Sequence, residues 1–147
     1  MSGRIELSDD KARLRVGVIH GWLASSYWSP DISRDLVERA IAGSHCLGAY
    51  RDGEQAGFAR VVTDHTTFVW VADVWVDEAM RGQGLGRRMV GWFVDHPEFA
   101  GIRRFALATR DAHAVYAEVG FHPLLRPERF MERLSPAIAA LIGSSPS

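Results

Sequence analysis

The period of hydrophobic residues changes in mid-chain, and a run of alternate glycines marks the change. Thr66 to Val76 is rich in β-branched and aromatic residues and reads as one long central strand. Beyond it, Leu85, Met89, Trp92 and Phe93 recur at i, i+4, i+7 and i+8, which is one face of a helix. Pro97 prevents that helix from continuing past His96. Between the two lies Arg81-Gly82-Gln83-Gly84-Leu85-Gly86-Arg87-Arg88. A strand that feeds a helix through such a run makes an anion site. The first helical N–H groups lack intrahelical acceptors and carry partial positive charge. Glycines let an anion approach that backbone closely, and Arg81, Arg87 and Arg88 add cations.

The spacing argues against two familiar phosphate loops. A Walker A loop needs Lys-Ser or Lys-Thr after its last glycine, where this chain has Arg87-Arg88. The dinucleotide fingerprint is G-x-G-x-x-G after an early strand, whereas here G-x-G-x-G lies in mid-chain.

The other segments complete an α/β pattern. Ile5 to Leu7 reads as a short strand, and Leu14 to Ala24 as a helix with Val16, Ile19, Trp22 and Leu23 near one face. Ser33 caps a second helix with Leu36, Val37, Ala40 and Ile41 at helical spacing and Gly43 as its stop. His45 to Tyr50 and Gln55 to Thr63 flank Asp52-Gly53, a hairpin signal. Arg104 to Ala108 reads as a strand. Asp111 is placed to cap a helix from Ala112 to Val119, with Gly120 at its end. Phe121 onward is expected to return to the sheet, with a last strand around Arg129 to Leu134.

Composition bounds the function. The net charge of −1 gives no global field toward nucleic acid or an anionic membrane, so an anion must be bound locally. The single cysteine, Cys46, cannot form an internal disulfide and reads as a buried thiol in a strand. Met1 to Asp10 holds no apolar run of signal-peptide length, and no stretch approaches ~20 apolar residues. A cytoplasmic protein without membrane or nucleic-acid partners is expected. Residues 1–142 read as one domain, and 143–147 as a small polar tail. The histidines at 20, 45, 65, 96, 113 and 122 form no metal-ligand spacing, so no metal is expected.

The glycine loop resembles the pyrophosphate-binding motif of the GNAT superfamily of N-acetyltransferases: Arg or Gln, two residues, Gly, one residue, then Gly or Ala. Arg81, Gly84 and Gly86 meet it. Asp73 to Glu78 looks like that family's fourth strand and following turn. Ala112 to Phe121, with Tyr116 and Gly120-Phe121, is similar to its penultimate helix. One departure is Thr109, where many members have Asn. The resemblance runs from about Trp22 to Leu134. It implies a mixed, mostly antiparallel sheet, splayed between the fourth and fifth strands and flanked by about four helices.

It further implies acetyl-CoA as cosubstrate. The backbone of Gly82, Gln83, Gly84, Leu85, Gly86 and Arg87, together with Arg81, would hold the pyrophosphate. Val74, Trp75 and Val76 would run beside the pantetheine arm. Tyr116 matches the family's general acid. A proton must also leave the attacking amine, whose reference pKa is ~10.4. Asp73, in an apolar strand beside the proposed cofactor path, is the first candidate base, with Asp64, Asp111, His113 or a chain of waters as alternatives. Trp22, Tyr27, Trp28 and Asp73 are candidates for an acceptor pocket. The expected activity is acetylation of a small-molecule primary amine by direct attack in a ternary complex, by a monomer or homodimer. The alternative is a non-catalytic acyl-CoA sensor, which would keep Arg81 to Arg87 and leave Tyr116 dispensable.

Overall fold

The computed structural model describes residues 4–142. The expected tail at 143–147 lies outside the described residues, as do the first three positions. The strands are β1 (Ile5–Ser8), β2 (His45–Arg51), β3 (Glu54–Thr63), β4 (Phe68–Val76) and β5 (Arg104–Leu107). The helices are α1 (Val16–Ala24), α2 (Arg34–Ala42), α3 (Leu85–Asp95), α4 (His113–Ala117) and α5 (Pro136–Ile142).

The strands lie in the order β1-β2-β3-β4-β5. The first three pairings are antiparallel, and β4 pairs with β5 in parallel. The β2–β3 turn bears out the Asp-Gly signal: Asp52 has φ 51° and Gly53 has φ 83°, both in the left-handed region that a two-residue type I′ turn requires.

The sheet separates two cores. On one face α3 buries Leu85, Met89, Val90 and Phe93 against Leu47, Ala59, Val61, Val69 and Val71. On the other, Ile19 and Leu23 of α1 and Val37 and Ile41 of α2 cover Cys46 and Phe58. Phe58 and Ala59 are adjacent in sequence and enter opposite cores, as the two-residue period of a strand requires. Burial pushes the Cys46 thiol up to about 11, in keeping with an inert structural cysteine. Ser33 caps α2 as expected, its Oγ accepting the Leu36 N–H at 3.2 Å. Leu36 itself, expected on the buried face of α2, is 50% exposed.

A bulge in β4 sets the facing of everything after it. Val61 is opposite Val71 and Arg60 is opposite Asp73, so Ala72 is an extra residue. Val69 and Val71 face α3. The inserted residue sends Asp73 to the α1/α2 side and returns Val74 and Val76 to the α3 side, because a one-residue shift exchanges the two faces of a strand.

Three expectations are corrected. The strand predicted from Thr66 begins at Phe68, because Asp64 Oδ1 accepts the N–H groups of Thr66 (2.8 Å) and Thr67 (2.7 Å) and winds them into a turn. These bonds also hold the Asp64 carboxyl well below the usual carboxylate range. The helix predicted from Ala112 to Val119 spans only His113–Ala117, and its first N–H groups receive no cap from Asp111. Thr109 Oγ1 instead accepts the Ala112 N–H at 3.1 Å. The return to the sheet after Phe121, with a strand over Arg129 to Leu134, does not form among the described residues. Pro127 opens a 3-10 turn there, and Leu125 and Met131 stand exposed with no apolar face to cover. The chain ends its described part in α5, which the sequence reading did not anticipate.

Phe93 is fully buried where α3 meets the sheet. Phe93→Ala is expected to destabilise the protein by about 3–5 kcal/mol, measured by urea unfolding.

Candidate active site

The candidate site lies where β4 outruns its neighbour. β5 pairs with β4 only from Phe68 to Val71, so among the described residues Ala72 to Val76 have no strand on that side. The Asp77 N–H donates to the Ala56 carbonyl at 2.8 Å. Hydrogen-bonded and non-hydrogen-bonded pairs alternate along an antiparallel ladder. Opposite β3, the 58–75 and 60–73 pairs therefore exchange bonds, and the peptide groups of Val74 and Val76 turn toward the gap. One of these groups is already satisfied: Arg81 Nε donates to the Val76 carbonyl at 3.0 Å. The remaining donors and acceptors of Val74, and the Val76 N–H, form a short open strand edge.

The start of α3 stands beside this edge. Gly84 is its N-cap, with φ 77° and no side chain to cap the helix. Only glycine takes that conformation without strain. Gly86 lies against the edge itself, its missing Cβ 3.7 Å from Val74 Cγ1 and 3.8 Å from Val76 Cγ2. No acidic residue occupies the first turn. Gly82 and Gln83 are exposed in the preceding loop, and the Leu85 side chain is buried in the core, leaving its backbone to the helix terminus. An uncapped helix N-terminus beside an open strand edge fits a long ligand with an anionic end and an amide-bearing arm. Trp75 Nε1 adds to this fit: it is buried at the same stretch of β4 and has no hydrogen-bond partner among the described residues.

Two of the three arginines of this run have protein partners. The Arg81 guanidinium lies 5.0 Å over the Trp75 ring while its Nε holds Val76. Arg87 pairs with Glu118 at 3.1 Å and so ties α3 to the end of α4. Arg88 is exposed.

A row of side chains crosses from α4 to β4. Tyr116 is on α4, and its ring packs 6.2 Å from Phe121. Burial, and the nearby Tyr27 phenol, raise the Tyr116 hydroxyl above the ordinary tyrosine range, so it keeps its proton at neutral pH. Among the described residues this hydroxyl makes no hydrogen bond. The Tyr27 oxygen accepts the Arg110 N–H at 2.9 Å, and the Arg110 guanidinium lies 4.1 Å over the Tyr27 ring. Tyr27 meets Trp28 edge-on at 5.0 Å, and Trp28 reaches Trp75 at 6.1 Å. The structure therefore gathers Tyr27, Trp28, Asp73, Trp75 and Tyr116. Trp22 packs against the α1/α2 core, as Trp28 also does, and makes no aromatic ring contact with this row among the described residues.

Asp73 is more committed than the sequence suggests. It is 5% exposed. Its Oδ2 accepts from Arg60 Nε at 2.6 Å, and its Oδ1 accepts from Trp28 Nε1 at 2.7 Å. Arg60 in turn donates to Ser44 Oγ at 2.9 Å. A carboxylate with a guanidinium on one oxygen and an indole on the other is placed as an anchor. Sequence reasoning missed Arg60 and Arg110. Arg60 had a signal, being a cation on the Phe58 face of an apolar strand. Arg110 had none, because its contact with Tyr27 joins residues 83 positions apart.

The sequence profile of the acetyltransferase (GNAT) family matches residues 13–121. A solved structure from Xanthomonas campestris pv. campestris (xcc2953), assigned to the GNAT family, superposes with a TM-score of 0.87. It is 42% identical, over 92% of this chain and 96% of that one. A Trypanosoma brucei acetyltransferase superposes at 0.65 with 20% identity, over 90% of this chain and 99% of that one. At that identity the likeness is one of fold. A Gibberella zeae protein with a provisional acetyltransferase name, FG08082, is 31% identical over a match that covers 57% of this chain and 59% of that protein. The match thus spans less than two thirds of that relative. With the family profile running from the first turn before α1 to the residue after α4's closing glycine, the chain belongs to the GNAT acetyltransferase family.

Proposed function

We propose that the protein transfers an acetyl group from acetyl-CoA to a primary amine of a small molecule, by direct attack in a ternary complex. The observation that carries this reading is the open Val74–Val76 edge running beside the uncapped start of α3. Acetyl-CoA would supply a thioester activated for acyl transfer, with an anionic pyrophosphate and an amide-bearing arm for recognition.

Each part of the site has a role in this reading. The N–H groups at the start of α3 take the pyrophosphate, and Gly82, Gly84 and Gly86 add no side chains of their own to its approach. The Val74 and Val76 peptide groups bond the arm as an added strand would. Tyr27, Trp28 and Trp75 give the acceptor an apolar wall that excludes water from the reacting atoms. The Tyr116 hydroxyl donates to the sulfur as the carbon–sulfur bond breaks and the carbon–nitrogen bond forms. The proton lost by the amine balances the one gained by the thiol. Asp73 is assigned as a positioning residue that fixes Trp28 against β4, and the amine's proton leaves through water. No helix among the described residues is long and apolar enough to cross a membrane, which fits the cytoplasmic setting proposed here.

Two measurements test these roles. Tyr116→Phe should lower the rate of CoA thiol release with an accepted amine by about 100-fold or more, while calorimetry gives unchanged acetyl-CoA affinity. Full activity in the variant would remove Tyr116 from the mechanism. No thiol release by either protein across a broad amine panel would favour a non-catalytic sensor. Asp73→Asn leaves Arg60 without its counter-charge in a mostly buried position, and should cost on the order of 3–5 kcal/mol in urea unfolding. The residual activity of that variant should keep the parent's pH profile. A profile that loses its acidic limb would make Asp73 the base.

A further inference from the structure

We propose that the end of the sheet away from Val74–Val76 binds a divalent transition metal ion of the zinc class. His45 Nδ1, His65 Nε2 and a Glu98 carboxylate oxygen are its ligands, and Asp9 supports His45 from behind. These three ligand atoms lie within 4.8 Å of one another. His45 Nδ1 is 2.9 Å from His65 Nε2 and 3.9 Å from Glu98 Oε2. Tetrahedral zinc bonds of ~2.0–2.1 Å place neighbouring ligands about 3.3 Å apart, between those two values.

The surroundings of His45 favour a ligand. Its Nε2 bonds Asp9 Oδ2 at 3.0 Å, so Nε2 carries the proton and Nδ1 presents its lone pair to His65 and Glu98. A carboxylate on the far nitrogen is the usual support of a metal-bound histidine, fixing both its tautomer and its ring plane. The ring is also held by apolar neighbours, with Phe99 at 5.2 Å and Phe93 at 5.8 Å. The His45 side chain is only 14% exposed, whereas Glu98 and His65 stand open to water. The site is thus formed on its protein side and accessible on the other, which leaves room for a water as fourth ligand. Two imidazoles and one carboxylate suit zinc and its neighbours rather than magnesium or calcium, which take oxygen sets.

The ligands come from separate parts of the chain. Asp9 follows β1, His45 opens β2, His65 is in the β3–β4 turn and Glu98 is in the 3-10 turn after α3. That separation is why no spacing in the sequence announces them. A bound ion would tie these four segments together, and so stabilise the native state in proportion to its concentration over its Kd.

The test uses untagged protein treated with chelator and dialysed, then titrated with zinc chloride by calorimetry and thermal unfolding. One ion per chain and a raised Tm are expected, with no shift from magnesium chloride. His65→Asn, which tolerates the native φ of 60° at this position, and Glu98→Gln should each weaken zinc binding at least tenfold. Both should unfold without metal as the parent does, since both side chains are exposed. Asp9→Asn should weaken binding about 10–100-fold without removing a ligand. Absence of zinc binding by the parent, or undiminished binding by both His65→Asn and Glu98→Gln, would overturn the proposal.

Discussion

A strand cannot leave its peptide groups unpaired without some other partner, and β4 runs on to Val76 after β5 has ended at Leu107. The site follows from that mismatch. The Ala72 bulge decides which side chains line it, by turning Asp73 and Trp75 to the α1/α2 face and Val74 and Val76 to the α3 face. The open edge then lies beside a helix start that no side chain caps. Arg81 closes one end by bonding the Val76 carbonyl and covering Trp75. What stays free among the described residues is a run of donors and acceptors that ends on a positive helix terminus.

Asp73 joins this edge to the rest of the molecule. Through Arg60 it reaches Ser44 at the end of α2, and through Trp28 it reaches the loop after α1. That loop has little freedom of its own: Ser26 Oγ accepts the Ser29 N–H at 3.0 Å, and the Asp31 N–H returns to the Ala24 carbonyl at 3.0 Å. Tyr27 is thereby held over Arg110, close to Tyr116. One buried ion pair positions the aromatic wall relative to the strand edge, and a change at Asp73 will be felt as misplacement before it is felt as lost chemistry.

The sequence made the fold and half of the site legible, for physical reasons that differ by residue. The hairpin signal between β2 and β3, the β-branched and aromatic run of β4 and the Leu85–Phe93 stripe are local patterns, and each is readable without knowledge of distant partners. The glycine loop was legible because few other residues satisfy its backbone. The bulge at Ala72 left no local mark, since an inserted residue in an apolar strand changes facing and not composition. The partners of Asp73 are spread over 45 positions, so a carboxylate that looked available proved to be engaged on both oxygens. His45 and His65 were discounted on spacing, yet the fold sets their nitrogens 2.9 Å apart. The strand expected around Arg129 to Leu134 does not form among the described residues, where Pro127 opens a 3-10 turn and Leu125 and Met131 stand exposed.

The central claim is that the β4 edge and the start of α3 together hold acetyl-CoA. The most direct measurement is thermal unfolding with and without acetyl-CoA, with ATP and NAD as controls. At 100 times its Kd a specific ligand stabilises the native state by about 2.7 kcal/mol, a rise of roughly 5–10 °C in Tm for a chain of this length. The account predicts that rise with acetyl-CoA and none with NAD. An unchanged Tm with acetyl-CoA, or an equal rise with NAD, would contradict it.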